Sequence, residues 1–368
     1  MSGVSVTTTP ATITISAENA DNNEPVTFTF LVNVRRPPAT WVNSGIGDFG
    51  GLKTDGQDAD GVEDLAYGNG VWVAGGRITT PTPGPVIRYS KDGKTWLGGG
   101  PAPGAGEEDT RIIFAGAGPG TAIRSVFFDG TRFIAGDGGG NILTSINGKD
   151  WTAPVATGLG GAMGNISYGG GKYIVAAIAS TNRFAWSDDL VTWSAPNPAT
   201  GGTGSIMTSS AYGNVNGVDT WVFVGRAAGG FSQVRVTNDF ETFINNETGP
   251  ITGLPSVNLT SVAFGNGRFV AVGQTGTVIH STNGLSWTPA ATSFGNTGQN
   301  TVVFINGYFV VGGDTNNVRY SPDGITWTAA NPSGNTNINP HVRSITFGNN
   351  VWLAGTRGGT LYYSEVAP

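Results

Sequence analysis

The fold is decided by the stretch Val262-Ala-Phe-Gly-Asn-Gly-Arg-Phe-Val-Ala-Val-Gly273 and its continuation, Val278-Ile-His-Ser-Thr-Asn-Gly-Leu-Ser-Trp287. Short apolar segments with a period of two predict β-strands. The Gly-Asn-Gly at residues 265–267 supplies residue types that tolerate positive φ, which predicts a tight hairpin. The whole stretch therefore predicts a small antiparallel sheet whose strands are joined by short turns.

The first half of this unit recurs seven times, whereas the half that ends in Trp has six copies. The first halves begin at Leu65, Val126, Ile166, Ser210, Val262, Val302 and Ile345. A fixed internal period indicates a repeat architecture, in which each unit buries its apolar faces against its neighbours.

The copies that end in Trp share the pattern Ser-x-[Asp/Asn]-Gly-x-x-Trp, with a degenerate copy at residues 237–243. We expect the Asp or Asn side chain to bond to backbone N–H groups of its own turn. The Trp ring is expected to fill the space between neighbouring sheets. The residues predicted to have these structural roles are Asp92, Trp96, Asn147, Trp151, Asp189, Trp193, Asn283, Trp287, Asp323 and Trp327.

The last repeat stops at Ser364, where its turn should begin, and the start of the chain supplies the missing piece. Ala39-Thr-Trp41 matches the ending Ile325-Thr-Trp327 of another copy. We therefore expect a strand at Trp41 to complete the last sheet, which leaves no free sheet edge at the junction. Residues 41–368 then give about 47 residues to each of seven units, enough for four strands.

The Trp-ended pattern resembles the Asp-box, or bacterial-neuraminidase repeat, with one residue fewer between Asp and Gly. This resemblance implies an all-β, seven-bladed β-propeller of four-stranded blades over residues 39–368, closed by the strand at Trp41. Propellers of this kind include sialidases, a photosystem assembly factor, sorting receptors and viral structural proteins. The resemblance is specific for the architecture, and fold alone does not settle function.

Residues 1–38 lie outside the repeat. Residues 11–15 and 26–34 alternate as strands around a polar turn at residues 21–25, so we expect a β-hairpin extension. A two-stranded hairpin alone is marginally stable in water. It is therefore expected to dock on the propeller flank, on a copy of itself, or on another protein as an anchor.

Composition excludes several classes of function. A net charge of −6 disfavours a nucleic-acid binder, which needs a basic surface. The chain has no Cys, which excludes disulfides, Cys-ligated zinc and thiol catalysis. Neither a basic and apolar leader nor an apolar run of membrane-spanning length is present, so we expect no signal peptide and no membrane insertion.

One polar position recurs shortly after the second strand of each unit, and we expect it to surround one mouth of the central channel. The candidate ligand-binding residues there are Arg77, Asp137, Arg226, Gln274, Asp314 and Arg357. Three arginines at such a mouth could bind the carboxylate of an anionic sugar. The alternative is that these polar side chains begin exposed loops and face water.

Other candidate chemistry is weak. Asp58-Ala-Asp60 lies in an acidic loop that has some carboxylates suited to calcium, but a solvated loop is the simpler interpretation. His280 and His341 lie in different repeats and suggest no Ser-His-Asp triad. The sequence predicts no metal and no cofactor.

The leading interpretation is a non-enzymatic virion structural protein, such as a phage fibre, knob or tail-associated propeller. It would be made in the host cytoplasm, bind other virion proteins through residues 1–38, and present polar loops to a host glycan or receptor. A symmetric fibre would also imply a homo-oligomer, although no coiled-coil heptads support one. The alternatives are a sialidase-like glycoside-active enzyme and a cellular assembly or scaffold propeller.

Overall fold

Antiparallel β-strands make up almost all of the regular structure. The structure is a computed structural model that describes residues 11–18, 25–32, 36–38, 41–47, 61–78, 84–98, 122–178, 184–196, 205–245, 251–314, 318–330 and 341–365. Within these ranges the sole helix is a 3₁₀ turn at Ala228–Gly230. No helix among them has the length and apolar character needed to cross a bilayer.

The strands are numbered in chain order. A separate hairpin comprises β1 (Ala11–Glu18) and β2 (Pro25–Val32), and β3 (Val42–Gly47) follows. The first blade comprises β4 (Gly61–Gly68), β5 (Val71–Ile78), β6 (Gly84–Ser90) and β7 (Leu97–Gly98). The second blade comprises β8 (Ile123–Phe128), β9 (Phe133–Asp137), β10 (Asn141–Ser145) and β11 (Val155–Ala156). The third blade comprises β12 (Met163–Gly169), β13 (Lys172–Ala177) and β14 (Phe184–Ser187).

The remaining four blades follow the same order. The fourth blade comprises β15 (Ile206–Val215), β16 (Val218–Arg226), β17 (Ser232–Thr237) and β18 (Ile244–Asn245), and the fifth comprises β19 (Leu259–Gly265), β20 (Arg268–Gly273), β21 (Val278–Ser281) and β22 (Thr288–Pro289). The sixth blade comprises β23 (Gln299–Ile305), β24 (Tyr308–Gly313), β25 (Arg319–Ser321) and β26 (Thr328–Ala329). The seventh comprises β27 (Val342–Gly348), β28 (Val351–Thr356) and β29 (Thr360–Glu365), and β3 is its fourth strand.

The seven sheets form a closed ring, which confirms the predicted seven-bladed β-propeller. The first strand of each blade contacts the first strand of the next, and β27 contacts β4. The predicted closure is also confirmed, because β3 pairs with β29 and places Val42 opposite Tyr363. Trp41, which precedes β3, is 1% exposed and packs in the same cluster as Trp352.

The third blade departs from the predicted four strands. Its described residues form three, and the chain after its turn makes a backbone bond from Ser194 N–H to the Trp186 carbonyl (2.8 Å) without continuing as a strand. Pro196 lies two residues further on and has no N–H to donate to a ladder. Pro154 takes the same position in the second blade and is followed by β11, so proline alone does not end the strand; residues 197–204 of the third blade lie outside the described ranges.

Each Trp-ended turn is held by the side chain that the sequence singled out. Asn147 Oδ1 accepts the N–H groups of Lys149 (2.9 Å) and Asp150 (2.8 Å), and Ser145 Oγ accepts that of Gly148 (2.9 Å). The same two acceptor bonds form at Asp92, Asp189, Asp239, Asn283 and Asp323. At Asp189 the N–H groups of Thr192 and Val191 lower the carboxyl pKa to about 2.

These turns also pack against the preceding blade. A β-carbon on Gly148 would lie 2.7 Å from Val73 Cγ2 of the first blade, and its φ is +72°. Both facts favour glycine. In the third and fourth blades Leu190 and Phe240 take the glycine position at positive φ, and their larger side chains fill the space between blades. Among the turn tryptophans, Trp96, Trp287 and Trp327 are buried, whereas Trp151 and Trp193 are half-buried.

A ladder of aromatic pairs lines the hairpin end of the first strands. Tyr67 packs on Trp72 of its own blade, with ring centroids 4.6 Å apart, and it also covers Gly348 of the seventh blade so closely that no β-carbon would fit. The pairing within blades repeats in the other six. The Tyr-Gly and Phe-Gly pairs of the repeat therefore join neighbouring blades.

Replacing Gly148 with Ala should destabilise the protein by about 2–4 kcal/mol, because positive φ is strained for Ala and the methyl group overlaps Val73. The matched control is Gly267→Ala, which has the same φ of +72° but open space around the new methyl group. It should cost only about 1–2 kcal/mol. Equal losses in denaturant unfolding would show that the turn does not pack against the preceding blade as described.

Candidate functional site

A β-bulge in every first strand places one residue at the mouth of the central channel. The register of each first strand shifts by one residue near its start, as between Val62 and Asp64 in β4. Bulges commonly redirect a side chain at the rim of a sheet. The residues at the bulge position are Glu63, Arg124, Gly164, Thr208, Thr260, Asn300 and Arg343, and all seven line one cavity.

In six of the seven first strands, the side chain of the next residue accepts a hydrogen bond from the following blade. Ser125 Oγ, for example, accepts the N–H of Ile166 in the third blade (3.0 Å). Asp64, Asn165, Ser209, Ser261 and Ser344 accept the N–H groups of Val126, Ser210, Val262, Val302 and Leu65 in the same way. We call these six side chains the hook residues. At the remaining joint Asn300 Nδ2 donates to the Val342 carbonyl (3.2 Å).

Asp64 is the one carboxylate among the hook residues, and it holds three blades together. Its oxygens accept the N–H groups of Leu65 and Val126 (both 2.9 Å) and the hydroxyls of Ser125 (3.0 Å) and Ser344 (2.6 Å). Burial raises the pKa of this carboxyl, although the four donated hydrogen bonds oppose the shift.

The cavity at the channel mouth has a volume of about 330 Å³. Its main ion pairs join three adjacent blades: Glu63 Oε1 lies 3.4 Å from Arg124 Nη1, and Glu63 Oε2 lies 3.0 Å from Arg343 Nη1. Each arginine therefore meets a single carboxylate oxygen instead of binding both. Arg124 Nε is buried and has no hydrogen-bond partner in the part of the chain that the structure describes.

A second polar group lies on the same wall. Asp314 Oδ1 accepts hydrogen bonds from Asn300 Nδ2 (2.9 Å) and pairs with His341 Nδ1 (2.8 Å). His341 holds a positive φ of +53°, and its carbonyl accepts the N–H of Arg357, which also lines the cavity. The three arginines and two carboxylates leave one net positive charge in a chain that is acidic overall.

The structure brings two of the six predicted channel-mouth residues into this cavity, Asp314 and Arg357. Asp137 is buried and closes its own turn by accepting the N–H groups of Gly139 and Asn141 (both 2.8 Å). Arg77 and Arg226 lie near the ends of second strands and are not part of the cavity lining, and Gln274 is exposed in its turn. Asp58 and Asp60 lie outside the described residues.

Arg124, Arg343 and Glu63 were not singled out from the sequence, although a signal was available. Each lies two residues before the start of a first-half copy, in a column where the other blades carry Gly, Thr or Asn. Charges in this column occur only in the seventh, first and second blades, which are neighbours in the ring. Alignment of the repeats by this column would have placed them together.

The channel continues below the hook residues as a second cavity of about 480 Å³. Its lower part is lined by the aromatic ladder, including Tyr67, Phe128 and Phe264. Beyond it, on the hairpin face, the Arg36 carbonyl accepts hydrogen bonds from Asn306 Nδ2 (3.2 Å) and Trp352 Nε1 (3.3 Å). The segment that precedes the propeller thus meets the ring at the end opposite the charged mouth.

Comparison with known proteins identifies the fold and no family. No protein-family model matches the chain, and no curated protein sequence is similar to it. Among solved structures it is similar to YCF48 bound to D1 peptide, with 14% identity and a TM-score of 0.59 over 91% of this chain and 97% of that one.

Two further solved structures have the same fold. The WD40 β-propeller domain of Doa1 has 13% identity and a TM-score of 0.59, with 86% of this chain and 95% of that one covered. A chain of the mitotic checkpoint complex has 12% identity and a TM-score of 0.57, with 91% and 96% covered. Identities this low establish the propeller fold alone.

Replacing Asp64 with Ala should destabilise the protein by about 2–4 kcal/mol, because buried donors from three blades lose their acceptor. Asp64→Asn should be milder, since Asn165 serves the equivalent position in the third blade. Burial raises the Asp64 pKa above 3.8, so the native state retains this proton to higher pH than the unfolded chain.

The stability of the wild type relative to Asp64→Asn should therefore be greatest below about pH 4 and fall as the pH rises through the native pKa. Denaturant midpoints of both proteins across pH 3–8 measure this difference. A difference that does not change with pH would contradict the assigned burial of the charge.

Proposed function

We propose that this chain is a non-enzymatic binding propeller that serves as a virion structural protein, of the phage fibre, knob or tail-associated kind. Residues 1–38 attach it to other virion proteins, and the channel mouth binds an anionic group on a host glycan or receptor. The observation that carries this proposal is that Arg36, where residues 1–38 join the propeller, lies at the end of the channel opposite the charged mouth.

The separation follows from the direction of the first strands. β4 runs from Glu63 at the mouth to Gly68 at the hairpin end, a length of roughly 17–20 Å. Arg36 is held at the hairpin end by Asn306 and Trp352. A protein anchored through residues 1–38 would therefore present the mouth away from its anchor, which suits a displayed receptor-binding head.

The virion assignment rests on the resemblance of the turns to the Asp-box, a repeat that viral structural proteins also carry. In six turns an Asp or Asn oxygen accepts two backbone N–H groups, as expected from the sequence pattern. Anionic ligands are favoured at the mouth because guanidinium groups bind carboxylates with charge-assisted hydrogen bonds.

A sialidase-like glycosidase is a second candidate, because Glu63 and Asp314 share the cavity with three arginines. Such enzymes need one carboxyl group that is protonated and one that attacks or activates water. Glu63 is paired with two arginines, and Asp314 with His341 and Asn300, so both carboxylates are already engaged as acceptors. Binding without hydrolysis is therefore the better-supported reading.

A cellular scaffold is the third candidate, favoured by the likeness to YCF48, which was solved with a D1 peptide. A cellular scaffold and a virion protein would both bind a partner through one face of the propeller. The two differ in where the protein is found, and that difference can be measured directly.

The virion assignment predicts that purified virus particles from the source culture contain this protein at a fixed number of copies per particle. Quantitative mass spectrometry of the particles measures that number relative to the major capsid protein. Absence from the particles, with the protein present in the cell lysate, would overturn the virion assignment and favour the cellular scaffold.

The assignment of the mouth predicts that Arg343→Met weakens binding of sialyllactose by the full-length protein at least tenfold, because it removes a cation worth about 1.5–3 kcal/mol in a charged hydrogen bond. Arg132→Met is the matched control, since Arg132 pairs with Asp129 on the hairpin face. Titration calorimetry with sialyllactose and with neutral lactose measures both. Equal weakening by the two variants would place the binding site elsewhere.

A further inference from the structure

We propose that Glu63 is a built-in competitor for the ligand at the channel mouth: its carboxylate occupies Arg124 and Arg343 when the site is empty, and a ligand carboxylate binds by displacing it. This inference rests on the proposed function of the mouth and specifies the chemical class that it recognises. The shared chemistry is a carboxylate group, whether on a sugar acid or at the end of a peptide.

The geometry of the ion pairs supports displacement. Glu63 divides its two oxygens between guanidinium groups of two neighbouring blades, at 3.4 and 3.0 Å. A guanidinium can bind both oxygens of one carboxylate in a planar fork, and that arrangement is stronger than a single contact. The arrangement at Glu63 uses one nitrogen of each arginine in these ion pairs, so a ligand carboxylate has a stronger mode of binding available to it.

A buried donor without a partner also favours displacement of Glu63. Arg124 Nε is buried and lacks a hydrogen-bond partner among the described residues, although its Nη1 contacts Glu63. A buried donor without an acceptor is unfavourable, so the contact with Glu63 does not fully satisfy the Arg124 guanidinium. The empty state of the site is therefore incompletely satisfied on the arginine side.

The exposure of the ion pairs keeps them weak enough to exchange. The side chains of Glu63, Arg124 and Arg343 are 20%, 27% and 33% exposed, and they face an open cavity. Ion pairs with this access to water contribute little net stability. Displacing Glu63 would break two such contacts without disturbing the hook residues below them, which hold the ring together.

The opposite wall of the cavity leaves room for the rest of the ligand. Its bulge positions carry Gly164, Thr208 and Thr260, which are small. The two threonine hydroxyls each lie within hydrogen-bonding distance of backbone carbonyls in their own and the next blade. The charged wall over the seventh, first and second blades thus supplies the main recognition, and a neutral group fits opposite.

The test is binding of carboxylates by the full-length wild type and by Glu63→Gln, which keeps the side-chain shape but removes the competing charge. The probes are the methyl glycoside of a sialic acid and an acetylated tripeptide with a free C-terminus, each compared with its methyl ester. We expect Glu63→Gln to bind at least one acid about three- to tenfold more tightly than the wild type, with no gain for the esters. The acid that gains identifies the source of the carboxylate.

The matched control is Asp314→Asn, which removes a negative charge from the same cavity but from a residue bonded to Asn300 and His341. It should change affinity less than Glu63→Gln does. Equal affinity of the wild type and Glu63→Gln, weaker binding by Glu63→Gln, or an equal gain in Asp314→Asn would overturn the competitor role while leaving the mouth as a binding site. Failure of every folded variant to bind either acid would overturn the proposed function of the mouth as well.

Discussion

The ring depends on one repeated hydrogen bond, in which a short polar side chain of each first strand accepts an N–H of the next blade. Propeller blades have no continuous ladder between them, so the first strands of neighbouring blades would otherwise meet with unpaired backbone groups in the channel wall. The hook residues supply the missing acceptor at six joints. The bulge one residue earlier turns a second side chain toward the mouth, so the same local distortion both joins the blades and builds the site.

The two ends of the channel have different chemistry because the first strands run in one direction. At the mouth the bulge positions differ in size and charge, with Glu63, Arg124 and Arg343 together on one side. At the other end the aromatic ladder repeats from blade to blade, and Tyr67 over Gly348 is one example. The geometry that repeats from blade to blade therefore lies at the hairpin end, whereas the differences between blades that can determine recognition lie at the mouth.

Much of the fold could be predicted from the sequence because its determinants are local. The positive-φ turns, the period-two strands and the Trp-ended pattern each leave a signal within ten residues, and the match of Trp41 to the other endings predicted the closing strand. Less of the candidate site could be predicted from the sequence. The positions of Asp314 and Arg357 were predicted, but Arg124 and Arg343 are oriented by a bulge, and only alignment of the seven repeats brings them into one column. Asp137 was predicted to lie at the mouth, but its carboxylate accepts hydrogen bonds from backbone N–H groups of its own glycine-rich turn. The sequence pattern did not distinguish these two roles.

The closing strand also constrains how the protein can be made. Val42 pairs with Tyr363, so β3, the first strand of the propeller to leave the ribosome, cannot pair until β29, the last strand, has been synthesised. At about 5–20 residues per second, the roughly 320 residues between them take on the order of 15–65 s to synthesise. Throughout that interval Trp41, which ends up fully buried, has no sheet to pack on. The nascent chain must keep the Trp41 side chain from non-specific contacts, and a chaperone or a temporary partner for it would be most valuable before the seventh blade emerges.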